Sequence, residues 1–470
     1  MTIELDTQFF EQFLTMSGPE ILLYLFLRIG WILLLIVLIW GAYKILLINR
    51  ESKNVASHEY ILLAVDVPKD SEQTPKAVEN IFAVLAGAHS SPTRREQYWF
   101  GTVQPWFSLE IASIEGYIQY FIRTPAKFRD LVESAIYAQY PEAEITEVED
   151  YTYLVPVKRF PDPEWDMWGC DFVQVKDQAY PIRTYPEFEH GLTQEFKDPL
   201  SSILENLGLL GPGEHFWIQL MIVPIGQKTW KEQGDKVVKK LIGTPEKKKE
   251  TATDKLVGAP FKALEAVGSE VFGGEAAAPA KPDKREEPSK ILYMSPGEIN
   301  AVKAIENKLT KIGYLSKLRA MYVAKKEVMK KTRAAHPFIG AIKQFNTVNL
   351  NSLKPELSKT GTSGGIILFK QKRLNHRKNV LMQSYRDRDP SVPMSPYVFN
   401  TEELASLWHF PTIEIKAPLV KKTEAKKSEP PMTLPYEPPP QPKEKYEISE
   451  TEEDAEEIPE DVPTNLPFEK

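Results

Sequence analysis

The chain of 470 residues has a single cysteine, Cys170. One thiol excludes an internal disulfide framework and fits a reducing compartment. The seven histidines are scattered, and neither H-E-x-x-H nor C-x-x-C occurs, so no metal site is expected. His336 and His409 stand in apolar, structural-looking segments and read as packing histidines. The nearest approach to a phosphate-binding loop is GTSGGIILFKQK from Gly361, which lacks the Lys-Ser/Thr that such a loop needs. The residues therefore point to no catalytic constellation, no cofactor and no enzyme. The first twenty residues lack lysine and arginine and carry Glu4, Asp6, Glu11 and Glu20.

The longest apolar run is ILLYLFLRIGWILLLIVLIWGAYKILLI, Ile21–Ile48. A helix of about 20 apolar residues crosses a ~30 Å hydrocarbon core. The run reads as a transmembrane helix, with Arg28 and Lys44 snorkelling and Trp31, Trp40 and Tyr43 as interfacial anchors. Arg50 and Lys53 follow it, so the lysine and arginine bias puts residues 1–20 outside and the bulk of the chain on the cytoplasmic side of an inner membrane.

Beyond the run, residues 59–154 read as a ferredoxin-like βαββαβ module. EYILLAVDVP is a strand, and Pro75 opens a helix over Thr74–Ala88. Phe107–Pro125 alternates on both sides of Glu115-Gly116, as a hairpin does. Ala126–Pro141 is a second helix, and AEITEVEDYTYL (Ala143–Leu154) is the last strand. Arg94 and Arg95 beside Tyr98, Trp99 and Phe100 read either as a self-packed aromatic loop or as a base-stacking surface.

A second, more degenerate module of the same order spans 155–225 and 291–417. Its strands are Asp171–Asp177, His215–Pro224, Tyr314–Lys326 and PMSPYVF (Pro393–Phe399). Asp198 with Pro199 reads as a helix start, and Ser295 with Glu298 is a capping box followed by Pro296. Gly313 reads as the stop of that helix, and Val328–Phe345 is a helix interrupted at Pro337. Residues 226–290 read as a flexible insertion. Its apolar positions Trp230, Val237, Val238, Leu241, Leu256, Phe261, Leu264 and Val267 suit either a solvated linker or a membrane-surface helix. Residues 418–470, proline-rich and then acidic, read as a disordered tail. The fold class is thus α+β: one transmembrane helix, two ferredoxin-like modules, a long insertion and a tail.

The net charge of −7 conceals an acidic stretch at Glu447–Glu460 and a basic run. That run holds Lys317, Arg319, Lys325, Lys326, Lys330, Lys331, Arg333, Lys370, Lys372, Arg373, Arg377 and Lys378. It reads as a solvated face, or as a contact for nucleic-acid phosphates or anionic lipid.

From Tyr397 the chain reads YVFNTEELASLWHFPTIEIKAPLVKKTEAKKSEPPMTLP. Thr401 caps a short helix, with Glu402 and Glu403 at its N-terminus and Leu404, Leu407 and Trp408 on one face before Pro411. Asn400, Thr401, Glu402, Glu403, Leu404, Trp408, His409 and Pro411 form a stretch that resembles the end of the membrane-anchored N-terminal domain of bacterial conjugative-transfer (type IV secretion) ATPases of the HerA/FtsK-like class. Gln139–Tyr151 and the hairpin before it are similar to that domain too. The resemblance implies a stand-alone relative without the ATPase domain, because YEPPPQPKEKYEISETEEDAEEIPEDVP stands where the motor domain and its phosphate-binding loop would begin. The expected function is a single-pass membrane scaffold or docking protein. Its partners would be the lipid bilayer and a separately encoded ATPase or other transfer-machine subunit, with a homo-oligomer also open. The alternative is a membrane-tethered nucleic-acid-binding module.

Overall fold

The computed structural model describes residues 31–68, 73–188, 197–243, 293–362 and 369–411, together with 19 and 26–27. The expectations for residues 1–20, for Arg28, for Leu256 to Val267 and for the 418–470 tail lie outside the described residues.

Alternating apolar segments make nine strands: β1 Tyr60–Asp66, β2 Phe107–Ile114, β3 Tyr117–Pro125, β4 Glu144–Glu147, β5 Trp165–Gln174, β6 Glu214–Pro224, β7 Gly313–Lys325, β8 Leu353–Pro355 and β9 Tyr397–Asn400. They form a single antiparallel sheet in the order β4-β1-β3-β2-β6-β7-β5-β8, with β9 paired to the start of β7. The second half of the order mirrors the first. The halves join where β2 pairs with β6, from Phe107 against Ile222 to Ile114 against His215. An edge strand left open is a liability, and here each half covers the other's edge. The two expected modules are therefore one sheet.

Nine helices of α type accompany it among the described residues: α1 Trp31–Ala56, α2 Pro75–Leu85, α3 Arg129–Tyr137, α4 Ser201–Gly208, α5 Gln227–Ile242, α6 Pro296–Thr310, α7 Lys331–Ile342, α8 Lys370–Asp387 and α9 Thr401–Leu407. Apolar faces of α2, α3, α4, α7 and α9 bury one side of the sheet, with Phe82, Ile136, Leu204, Phe338 and Trp408 in that core. On the other side α8 and the segment around Tyr151–Phe160 cover Phe121, Trp217 and Met321.

The expected transmembrane helix is overturned. Among the described residues no helix is long and apolar enough to cross a membrane. Helix α1 does not stop at Ile48 but runs on through Asn49, Arg50, Glu51, Ser52, Lys53 and Asn54. Its described apolar part, Trp31–Ile48, contains Lys44. The single-pass topology and the inner-membrane location fall with it. Trp40 carries Lys44 over its ring at 5.7 Å.

The polar end of α1 is tied to the sheet domain. Asn54 Oδ1 accepts from the Val103 N–H at 3.1 Å, and Arg50 stacks on Trp99 at 5.0 Å. Gly101, at φ +68°, passes so close that a Cβ would lie 2.6 Å from the Arg50 carbonyl carbon.

Smaller differences have local causes. The last strand expected in the first half ends at Glu147, and Tyr151–Leu154 is a 3-10 turn. That turn sends Tyr151 under the sheet. Residues 227–242 of the insertion form α5, whose Trp230 and Val238 are buried against α6. A Cβ at Gly234 would lie 2.1 Å from Leu309, so glycine there lets α5 and α6 meet. Gly313 does not stop α6, which ends at Thr310; it opens β7 and leaves room for the Trp230 ring. Asp198 is not the cap of α4, which begins at Ser201 after Leu200. The capping box at Ser295 and Glu298 is present. The fourth strand of the second half is β8, and the segment expected in that role supplies β9.

Candidate binding cleft

Four neighbouring strands each carry a buried polar residue at matching register. Glu110 on β2 lies opposite Gln219 on β6, Gln219 opposite Arg319 on β7, and Arg319 opposite Asp171 on β5. All four are fully buried. Directly opposed residues share a face, so they form a polar band across the middle of the sheet. Buried polar groups need partners, and the band supplies them. Gln219 Nε2 donates to Glu110 Oε1 at 2.9 Å, and Arg319 Nε donates to Asp171 Oδ1 at 2.7 Å.

Arg388, just after α8, closes the Glu110 end. Its Nε lies 3.0 Å from Glu110 Oε1, and its guanidinium also pairs with Asp150. Burial opposes the Arg388 charge, but Glu110 and Asp150 outweigh it and hold its pKa well above the ordinary arginine value. Burial likewise raises Asp150, and the hydrogen bonds from Arg388 more than reverse this, leaving the carboxyl below its usual range. The Tyr151 hydroxyl donates to Glu110 Oε2 at 2.7 Å and lies 2.6 Å from the Tyr385 hydroxyl. Burial, with Glu110 beside them, pushes both phenols well up.

Lys317 closes the other end. Its Nζ lies 3.3 Å from Asp171 Oδ2, a charge contact without hydrogen-bond geometry, and donates to the Val392 carbonyl at 2.9 Å. Arg319 donates to the same carbonyl at 2.5 Å. The band thus pins the 388–392 segment over the sheet.

Burial drives the Lys317 pKa down to about 8. This gives a testable pH dependence. Below pH 8 the amine is charged in both folded and unfolded chain. Between about 8 and its ordinary value of 10.5, the unfolded chain holds a proton that the folded chain has released. Unfolding free energy therefore rises with pH across that window. Relative to wild type, Lys317→Met should flatten the rise in urea titrations between pH 7.5 and 10; identical slopes would contradict the assignment.

Beside the band lies a cleft of about 1290 Å³ between the last turns of α1, strands β1 and β3, and the 386–392 segment. Arg123, Tyr60, Trp106, Asp150, Arg386 and Arg388 line it. Trp106 Nε1 donates to the Arg388 carbonyl at 2.7 Å.

The structure disperses the basic run. Lys317, Arg319 and Lys378 are buried among carboxylates. Lys378 and Lys331 both pair with Asp166, the second at 3.7 Å. Arg333 donates to the Leu209 carbonyl, Arg377 to the Gly361 carbonyl at 3.2 Å, and Lys326 to the Asp162 carbonyl at 2.6 Å. Lys325, Lys330, Lys370, Lys372 and Arg373 are exposed.

The family-like stretch is interior and structural. Asn400, not Thr401, caps α9, in a capping box with Glu403. Thr401 donates to Glu79 at 3.2 Å, and Glu402 pairs with Lys311. Glu403 pairs with Lys308 at 2.9 Å, both side chains fully buried. Burial lowers the lysine and raises the carboxyl. Leu404 and Trp408 are core, with the Trp408 ring 5.7 Å from Tyr120. His409 bridges the Ala405 carbonyl at 2.7 Å and Asp198 at 3.0 Å, while Pro411 is half-buried.

Glu110, Arg123, Asp150, Asp171, Gln219 and Arg388 were not singled out by the sequence reading. The available signal was the polar residue breaking each apolar strand: Glu110 in FSLEIASI, Gln219 in HFWIQLMIV, Asp171 in GCDFVQ and Arg123 in YIQYFIRT.

No curated protein matches this chain. Residues 51–423, which hold every strand and all of the polar band, match the profile of a domain of unknown function, DUF8128. That match covers most of the chain, and the protein belongs to the DUF8128 family.

Proposed function

We propose that the protein is a non-catalytic docking platform for a transfer motor carried on a separate chain, an ATPase of the class that the Asn400–Pro411 stretch resembles. One observation carries docking: the apolar surface of α1. Leu34, Val37, Leu38, Trp40 and Ile45 are each at least 60% exposed, and Tyr98, Trp99 and Phe100 lie exposed beside the polar end of the helix. Large contiguous apolar surface marks an interaction site. The partnered charges of the polar band support a binding role over turnover, since their hydrogen bonds serve the fold. The interior place of the family-like stretch leaves α1 and the cleft as the surfaces that a partner reaches.

The test is to isolate the tagged full chain from its native source in mild detergent and identify what accompanies it. Recovery of an ATPase with a phosphate-binding loop supports the reading, and its absence contradicts it.

A second reading, nucleic-acid contact, is favoured by the exposed Lys325, Lys330, Lys370, Lys372 and Arg373. It predicts DNA binding by the purified chain that weakens steeply with salt. No binding at low salt would dismiss it.

A further inference from the structure

A separate cavity of about 610 Å³ opens between the tip of the β2–β3 hairpin and the 3-10 turn Tyr151–Leu154, on the face that carries the polar band. Alternation along β3 sends Tyr117, Gln119 and Phe121 to this face. Phe121 lies at the floor, stacked on Tyr151 at 4.6 Å, and both are buried. The turn that places Tyr151 there leaves Tyr153 and Leu154 at the rim, 68% and 61% exposed. Tyr117 completes the rim from the hairpin at 60%. The charges lining the cavity are all negative: Glu115, Glu149 and Asp150. Two of them are engaged by the fold. Glu115 Oε1 accepts from the Gly213 N–H at 2.8 Å, and Asp150 pairs with Arg388. Glu149 is exposed and, among the described residues, accepts no hydrogen bond and makes no ion pair. Arg386 and Arg388 reach Tyr153 and Asp150 without lining the cavity. Arg386 donates to the carbonyls of Thr152, Val155 and Val157, and Arg388 is shared by Glu110 and Asp150. Even with both arginines counted, Glu110, Glu115, Glu149 and Asp150 outnumber them. Tyrosine faces beside a carboxylate attract a cation, because the ring face carries the negative end of its quadrupole. The Arg386 guanidinium, 5.3 Å over the Tyr153 ring, is an instance within the fold. Among the described residues no group of carboxylates is placed to hold a metal ion, so the cation that fits is organic. A planar guanidinium meets both features, stacking on an aromatic ring and forking onto a carboxylate, where an ammonium is a point charge.

We propose that this cavity seats one arginine side chain of a partner protein, its guanidinium against the tyrosine rim and forked onto Glu149. The inference goes beyond docking through α1 and rests on that reading only for the identity of the partner.

The probe is Nα-acetyl-L-arginine N-methylamide, titrated into the full chain and read by saturation-transfer difference NMR. A saturable signal on its side-chain methylene protons is expected. The citrulline analogue, which keeps the shape and loses the charge, should bind about tenfold more weakly, as loss of a charge-assisted hydrogen bond does. The lysine analogue should fall between them. Glu149→Gln should weaken the arginine probe by a similar factor and leave the citrulline probe unmoved. Its Tm should not change, since the side chain it replaces is exposed and unpartnered. Tyr117→Ala should weaken the arginine probe as well. Absence of saturable arginine binding, equal binding of the citrulline or lysine analogue, or undiminished binding by the folded Glu149→Gln variant would each overturn the proposal. The two readings fail separately. If the motor co-purifies but the arginine probe shows no Glu149 dependence, the arginine seat falls and docking stands. If the probe behaves as expected and no motor co-purifies, the seat stands and the assigned partner falls.

Discussion

Replacing Arg388 by methionine should destabilise the chain by about 3–5 kcal/mol, one of the two largest effects expected of any single substitution here. The reason is asymmetric. Arg388 is 1% exposed and neutralises Glu110, which is fully buried, while also pairing with Asp150. Methionine preserves much of the packing volume but strands Glu110 in the sheet without a counter-charge. Ion pairs of this depth are weak evidence of net stabilisation, because taking two charges out of water costs about as much as their attraction returns. Breaking one from a single side is expensive all the same. Adding Glu110→Gln to Arg388→Met should therefore recover a substantial part of the loss. Urea titrations of the wild type, the two single variants and the double variant would show it. A loss below about 1 kcal/mol for Arg388→Met would mean that the band does not hold the 388–392 segment in place.

The second large effect is expected at Lys308. Its ammonium is fully buried against Glu403 and also donates to the Tyr180 carbonyl at 3.3 Å and the Val398 carbonyl at 3.2 Å. Glu403 in turn accepts from the Ile182 N–H at 2.9 Å and the Asn400 N–H at 3.0 Å. One ion pair thus ties α6, β9, α9 and the 180–182 segment together. Lys308→Met should cost about 3–5 kcal/mol, and Lys308→Met with Glu403→Gln distinctly less than the sum of the single losses. Strict additivity in the double-mutant cycle would show that the two side chains do not act as a pair. The prediction bears on the resemblance as well. Glu403 sits in the stretch that resembles the transfer ATPases, and in this chain that residue holds the fold.

Local patterns carried far in the sequence. The alternation around Glu115-Gly116 gives β2 and β3, and both turn residues have the positive φ that such a hairpin demands, 56° and 92°. Ser295 and Glu298 mark the start of α6 where the structure has it. What stayed hidden was long-range. Nothing local tells Phe107–Ile114 that its second neighbour is a strand a hundred residues on, so the joining of the two halves into one sheet stayed unseen. Lys317 and Arg319 look like surface charge because their acidic partner, Asp171, is far away in sequence. Gly234 and Gly313 look like flexibility or a stop, yet each makes room for one side chain, Leu309 and Trp230. The apolar run at Ile21–Ile48 suggested a span because composition does not show where a helix ends, and α1 carries its polar turns onto the sheet domain.

Docking through α1 is tested most directly by partner recovery with a surface variant. Leu34→Ser, Leu38→Ser and Ile45→Ser combined change three side chains that are at least 62% exposed. Substitutions at such positions leave stability nearly unchanged. The full-length variant should keep its Tm and far-UV circular dichroism while the co-purifying ATPase is lost. Undiminished recovery of that ATPase by the folded variant would contradict it.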